Sequence, residues 1–136
     1  MPLTGTDQHI SHVSTVNLPV RDQEAALRFY VDLLGFEVVT DAHYGEDLRW
    51  VEVAPPGSET RLSLSEPSDE HSGFPAPGSL DTVVSFSTPD VDAAVETLAA
   101  RGVEFEPILR MGAPVPPMVH FRDLDGNRFL LVEAHD

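Results

Sequence analysis

Cysteine is absent from this chain of 136 residues, and positively charged residues are scarce. Without cysteine the chain forms neither disulfide bonds nor thiolate metal sites, so we expect a cytoplasmic location. Only 8 Lys and Arg residues stand against 23 Asp and Glu, which gives a formal charge of −15 at pH 7. We therefore expect no nucleic acid and no anionic membrane as partners, because both would be repelled. The charge permits a cationic ligand, although a well-solvated acidic surface is the more usual reason for such a charge.

Long hydrophobic runs are also missing. No run approaches the roughly 18 apolar residues that a membrane span needs, and the opening MPLTGTDQHI lacks the basic-then-apolar pattern of a secretory signal. The length and the 41% hydrophobic content instead favour one globular domain over residues 1–136, with a single core.

The chain contains an internal repeat. LPVRDQEAALRFYVDLLGFEV, from residue 18, aligns with FSTPDVDAAVETLAARGVEF, from residue 86. The alignment sets Asp22 on Asp90, an offset of 68 residues, and two such lengths account for the whole chain. The sequence therefore predicts two copies of one module, at about 9–66 and 80–134.

Each module has the pattern of a strand, a helix and three further strands. Asp22 and Asp90 suit the helix N-cap, because a carboxylate accepts hydrogen bonds from the free amides of the first turn. Gly35 and Gly102 suit the helix end, where a left-handed residue is needed. The pattern predicts an α+β fold with the order βαβββ twice, and the later strands are expected at roughly 36–41, 47–54, 60–66, 103–106, 117–123 and 128–133.

Two stretches, PVRDQEAALRFYVDLLGF and FRDLDGNRFLLVE, resemble the vicinal oxygen chelate superfamily, which includes glyoxalase I, extradiol dioxygenases, fosfomycin-resistance enzymes and bleomycin-resistance proteins. The resemblance covers essentially residues 9–134. It implies that each module curls its mixed sheet, that paired modules form a barrel-like cavity, and that the protein is a homodimer.

The same resemblance locates where metal-dependent members keep their ligands. Those positions carry Thr15 and Val83 on the first strands and Ser63 and Leu130 on the last strands. These four side chains do not make a divalent metal site, which needs a ring of nitrogen and oxygen donors. We therefore expect no metal and no cofactor. The nearby acidic and histidine side chains, His12, Glu66 and Glu133, lie three residues away, so strand alternation turns them to the opposite face.

The resemblance sets Thr15, Ser63, Val83 and Leu130 as inner positions, and strand alternation adds Asn17 and Ser85 to the same face. On the third strands the resemblance implies a hairpin phase that turns His120 and Met118 inward, and the repeat extends this to Glu52 and Trp50.

Trp50 and Met118 occupy equivalent positions and offer an apolar wall to a planar ligand, or else ordinary core packing. Arg61 and Arg128 flank the hairpin turns. They could hold an anionic group there, but exposed arginines near turns usually bind no ligand. Residues 43–44 and 107–117 are candidates for the rim. The predicted ligand-binding residues are Thr15, Asn17, Trp50, Ser63, Val83, Ser85, Met118 and Leu130.

Glu52 and His120 fall on equivalent positions of the third strands. A histidine titrates near neutral pH, and a carboxylate beside it would orient it, so this pair is a candidate for catalytic proton transfer. The alternative is that His120 bonds to a neighbour in a polar cavity while Glu52 reaches solvent.

Three functions remain open at this stage. The first is a metal-free protein that binds a small organic molecule, such as an antibiotic or another secondary metabolite, as bleomycin-resistance members do. The second is a metal-independent isomerase, cyclase or lyase that uses His120 as acid and base. The third is a metal-dependent glyoxalase or dioxygenase, which the residues at the ligand positions argue against.

Overall fold

The computed structural model describes residues 9–67 and 74–134. Two modules follow one another along the chain. The first contains β1 (Thr15–Pro19), α1 (Gln23–Arg28) with a following π-helical turn (Phe29–Leu33), β2 (Glu37–Tyr44), β3 (Leu48–Ala54) and β4 (Arg61–Ser65). The second contains β5 (Asp81–Thr88), α2 (Val91–Ala100), β6 (Glu104–Phe105), β7 (Met118–Arg122) and β8 (Arg128–Glu133).

The helices begin and end where the sequence predicted. The Asp22 carboxylate accepts hydrogen bonds from two amides of the first turn of α1, and Asp90 does the same for one amide of α2. Gly35 and Gly102 follow the helical segments with positive φ angles of 79° and 102°. Within the described ranges no helix is long and apolar enough to span a membrane.

Each module builds its own four-stranded mixed sheet. The strand orders are β1-β4-β3-β2 and β5-β8-β7-β6, with the first pair of each sheet parallel and the others antiparallel. The predicted α+β fold with two βαβββ modules is therefore confirmed. The two sheets remain separate, however, and within one chain they do not close into a barrel.

One face of each sheet supplies the hydrophobic core. Alternate residues of the strands point to this face, where they pack with the helices into a cluster that is continuous across both modules. Phe36 of the first module meets Phe86 of the second with ring centroids 5.5 Å apart. The buried strand residues of the cluster are Leu18, Val51, Val53, Leu62, Leu64, Val119, Phe121, Phe129 and Leu131.

A polar junction also joins the modules at the β7–β8 turn. The Tyr30 hydroxyl donates to Asp123 Oδ2 at 2.7 Å, and Asn127 Nδ2 donates to the Pro19 carbonyl at 3.0 Å. Burial raises the pKa of the Asp123 carboxyl, against hydrogen bonds from Asn127 and Tyr30 that lower it. Burial, with the nearby Asp123 charge, also raises the Tyr30 pKa. This turn therefore fixes the second module against the first.

Candidate ligand-binding site

The face of each sheet that points away from the core, called the open face from here on, carries the predicted site residues. In the first sheet Asn17 pairs with Ser63, and Ser63 pairs with Glu52. In the second sheet Ser85 pairs with Leu130, and Leu130 pairs with His120. The two rows occupy equivalent places in the two modules, so the repeat alignment located both rows correctly.

A cleft of about 420 Å³ lies where the open face of the first sheet meets the β2–β3 turn and the start of α1. Trp50, the only tryptophan of the chain, has half of its surface exposed there. All the lining residues come from the first module: Asn17, Gln23, Tyr44, Asp47, Leu48, Arg49, Trp50, Val51, Ser63, Leu64, Ser65, Glu66 and Pro67.

Short polar side chains form one wall of the cleft. The hydroxyl groups of Ser63 and Ser65 lie 3.4 Å apart. The side-chain amide of Gln23 is held in place because its Nε2 donates to the carbonyls of Arg49 at 2.7 Å and Leu64 at 2.9 Å. The cleft thus combines fixed hydrogen-bonding groups with exposed aromatic surface, as sites for small organic ligands usually do.

Glu52 lies on the same open face but does not line the cleft. Its side chain is almost fully buried, and it accepts hydrogen bonds from Thr40 at 2.9 Å and from Thr15 and Arg61 at 3.4 Å each. Arg61, for which an anionic ligand was the less favoured alternative, forms an ion pair with this carboxylate. Thr15 and Glu52 thus belong to one internal polar cluster of the first module.

The open face of the second sheet is more apolar. Val83 is 64% exposed, and Met118, His120 and Leu130 are partly buried. No residue of this face lines the cleft of the first module.

Arg128 on this second face is fully engaged. Arg128 donates to both oxygens of Glu106 at 2.7 Å and to Asp81 at 2.9 Å. These hydrogen bonds lower the pKa of both carboxyls. Like Arg61, Arg128 is therefore paired within the chain, which agrees with the favoured interpretation that neither arginine holds an anionic ligand.

The structure does not bring Glu52 and His120 together within one chain. Each lies on the open face of its own sheet, and in the described residues no hydrogen bond or ion pair joins them. Catalytic proton transfer by these two residues stays a prediction. Within one chain they do not form a hydrogen-bonded pair.

The donor set does not suit the metal of the superfamily. The four positions in question carry two hydroxyl and two aliphatic side chains, and residues 9–67 and 74–134 contain no group of three or more His, Asp or Glu side chains arranged to hold an ion. Glu66 and Glu133 serve another purpose, because they accept hydrogen bonds from the first-turn amides of Gln23 at 2.8 Å and Val91 at 3.0 Å.

Several residues of the cleft were not predicted from the sequence. Gln23, Asp47 and Arg49 lie at a helix start, in a turn and on the other face of β3, where strand alternation gave no signal. The loop 107–117, predicted as a rim, lines a separate cleft of about 400 Å³ together with Glu133. Tyr44, also predicted at the rim, does line the first cleft.

Comparison with known proteins agrees with this architecture. The family model of the Glyoxalase/Bleomycin resistance protein/Dioxygenase superfamily matches residues 9–131. The chain is 34% identical over 128 residues to the protein YetH of Bacillus subtilis, covering 91% of this chain and 99% of YetH.

Two solved structures are similar over nearly their whole length. A superfamily member from Sphaerobacter thermophilus is 41% identical with a TM-score of 0.83, covering 93% of this chain and 100% of that one. TnmS3, an antibiotic binding protein from Streptomyces sp. CB03234, is 36% identical with a TM-score of 0.79, covering 94% and 99%. The chain belongs to the glyoxalase/bleomycin resistance protein/dioxygenase superfamily.

Proposed function

We propose that this member of the superfamily binds a small organic molecule of the antibiotic or secondary-metabolite type, without a metal ion and without turnover. The cleft beside Trp50 carries the proposal, because it joins an exposed aromatic ring to fixed hydrogen-bonding groups at positions 17, 23, 63 and 65. The antibiotic-binding activity named for TnmS3 supports the same class of function.

The residues at the metal positions support binding rather than metal-assisted chemistry. Thr15 donates a hydrogen bond to Glu52, and Ser63 lies beside Ser65 and lines the cleft. Val83 and Leu130 supply only aliphatic surface. In this chain the equivalent positions thus supply one hydroxyl group to the cleft, that of Ser63, and aliphatic surface on the second open face, which suit an organic ligand better than a metal ion.

The ligand site is completed, in this proposal, by a second copy of the chain. Both open faces are uncovered in the single chain, with Trp50 on one and Val83 on the other exposed by half or more. Apolar side chains exposed on both modules favour covering by a protein surface. A two-fold dimer that sets the second-module face of one copy over the first-module cleft of the other covers both faces with one type of contact.

The experiment is a ligand screen read by the fluorescence of Trp50, followed by calorimetry and mass analysis of the ligand after incubation. We expect saturable binding, an unchanged ligand, and loss of most of the affinity in Trp50→Ala. Replacing His120 by Gln should change affinity little. Conversion of the ligand that stops in His120→Gln would contradict the proposal and support the metal-independent proton transfer predicted as the alternative.

The dimer is tested separately by sedimentation equilibrium. The wild type is expected to sediment as a dimer, and Val83→Glu as a monomer, because a charge placed in the interface must lose its water. Glu96→Lys, on the exposed side of α2, is the control and should leave the dimer intact. A monomeric wild type would contradict a site built from two copies.

A further inference from the structure

We infer that the cleft beside Trp50 selects planar aromatic ligands that carry a positive charge; this inference rests on the proposed function and names the ligand class of that site. The charged groups of the cleft lining are Asp47, Arg49 and Glu66. Whether each of these three groups already has an ion-pair partner determines the net charge that a bound ligand contacts.

The only cation of the lining is already neutralised. Arg49 donates through Nε and one terminal nitrogen to both oxygens of Asp41, at 2.9 and 2.8 Å, and through the other terminal nitrogen to Glu24 at 2.9 Å. The bidentate contact lowers the pKa of the Asp41 carboxyl, so both charges persist at neutral pH. An anionic ligand would have to displace one of these carboxylates.

The two carboxylates of the lining, in contrast, have no cationic partner. Neither Asp47 nor Glu66 forms an ion pair in the part of the chain that the structure describes. Glu66 uses one oxygen to accept from the Gln23 amide, which leaves the other oxygen for a ligand. Asp47 stands in the β2–β3 turn with a φ of 61° and an exposed side chain.

Elsewhere in the chain few Lys or Arg side chains are left without a carboxylate partner. The sequence has no lysine, and seven of its eight arginines form ion pairs within the described residues. The eighth, Arg101, donates to the Leu33 carbonyl. The potential at the cleft is therefore negative, and it concentrates cations and repels anions.

The aromatic side chains of the cleft favour the same ligand. Trp50 and Tyr44 each expose about half of their surface. An aromatic ring stacks on a planar ligand, and its negative face attracts a cation. A flat ring system with a protonated nitrogen satisfies both the aromatic rings and the two carboxylates.

The test compares three tricyclic probes of one shape by calorimetry at 0.15 M salt. These are 9-aminoacridine, which is a cation at neutral pH, acridone, which is neutral, and acridine-9-carboxylate, which is an anion. We expect affinity to fall in that order. The expected gap between cation and neutral probe is about three- to tenfold, the amount that one or two partly exposed charge contacts contribute.

The double variant Asp47→Asn/Glu66→Gln assigns the selectivity to its residues. Asparagine tolerates the left-handed conformation of residue 47, and glutamine keeps an acceptor for the Gln23 amide, so the fold is retained. The variant should bind 9-aminoacridine about three- to tenfold more weakly and acridone within about twofold of the wild type. The matched control Glu59→Gln/Glu96→Gln removes the same charge outside the cleft, where salt screens it, and should bind all three probes as the wild type does.

The outcomes are distinguishable. Binding of acridone or the carboxylate as tight as that of the cation, or an equal loss in both double variants, would overturn the inference and leave the proposed function standing. Failure of all three probes to bind would also overturn the inference, whereas the proposed function fails only if the ligand screen finds no saturable binder at Trp50.

Discussion

The two modules share one plan but differ in the chemistry of their open faces. At equivalent positions the first module carries Trp50, Glu52 and Ser63, and the second carries Met118, His120 and Leu130. The first face adjoins a cleft of aromatic and polar residues. A duplicated architecture therefore does not imply a duplicated site. In the proposed dimer the first module binds the ligand, and the second module of the other copy covers the cleft.

The parts that the modules do share are those that build the fold. Asp22 and Asp90 cap the helices, and Glu66 and Glu133 at the ends of the last strands accept from the first amides of the same helices. These positions are equivalent because every copy of the module must satisfy its free helix amides. Residues on the open faces satisfy no helix amides, so they can differ between the two modules without loss of the fold.

The largest expected effect on stability concerns the β7–β8 turn, where the two modules differ. Asn127 is fully buried, and its side chain makes four hydrogen bonds, to Pro19, Asp123, Gly78 and Leu80. Asn127→Ala leaves several buried groups unpaired and should lower the free energy of unfolding by about 3 kcal/mol. Urea denaturation measures it.

The control for Asn127 is Glu59→Ala, in the corresponding β3–β4 turn of the first module. Glu59 is exposed, so its removal should change stability by less than about 0.5 kcal/mol. Similar losses in both variants would show that the β7–β8 turn has no special role in joining the modules.

A smaller effect is expected from the hydroxyl group between the modules. Tyr30→Phe removes the donor at 2.7 Å from Asp123 Oδ2 and should cost about 1–2 kcal/mol, because the buried carboxylate loses a hydrogen bond. Tyr44→Phe, the only other tyrosine, is exposed and should be neutral. A neutral Tyr30→Phe in thermal unfolding would contradict the importance of this contact.

The smallest expected effect on stability concerns the two glutamates that cap equivalent helices. Glu66→Ala and Glu133→Ala each remove one acceptor from a helix N-terminus and should each cost about 1 kcal/mol. Chemical denaturation of both variants should give losses that agree within about 0.5 kcal/mol. A large loss in one alone would mean that the two modules do not use these glutamates equivalently.

The sequence predicted the fold well because its signals are local and occur twice. Asp22 with Gly35, and Asp90 with Gly102, mark the ends of both helical segments. The resemblance together with strand alternation assigned the faces of the first, third and last strands of each module. Because the same pattern occurs in both modules, the assignment of an element in one module can be checked against the equivalent element of the other. The resemblance then supplied the superfamily, which the family model confirms.

The cleft was only partly predictable. Ser63 and Trp50 follow from the resemblance and the repeat, and Asn17 follows from alternation. Gln23, Asp47 and Glu66, in contrast, line the cleft from a helix start, a turn and a strand end. Their position depends on how separate elements pack, which periodicity does not report. The arginine pairs are a similar case, because Arg61 and Arg128 find their carboxylates on neighbouring strands.

The central claim is that the first module binds the ligand at Trp50. The most direct test is a nitrogen–proton correlation spectrum of the labelled protein, titrated with a library of planar aromatic fragments. Because the chain has one tryptophan, a single indole signal reports on the cleft. The account predicts that fragments that bind shift this signal together with the amides around Ser63 and Ser65. Fragments that bind and shift the signals of residues 110–120, while the indole signal stays unchanged, would contradict it.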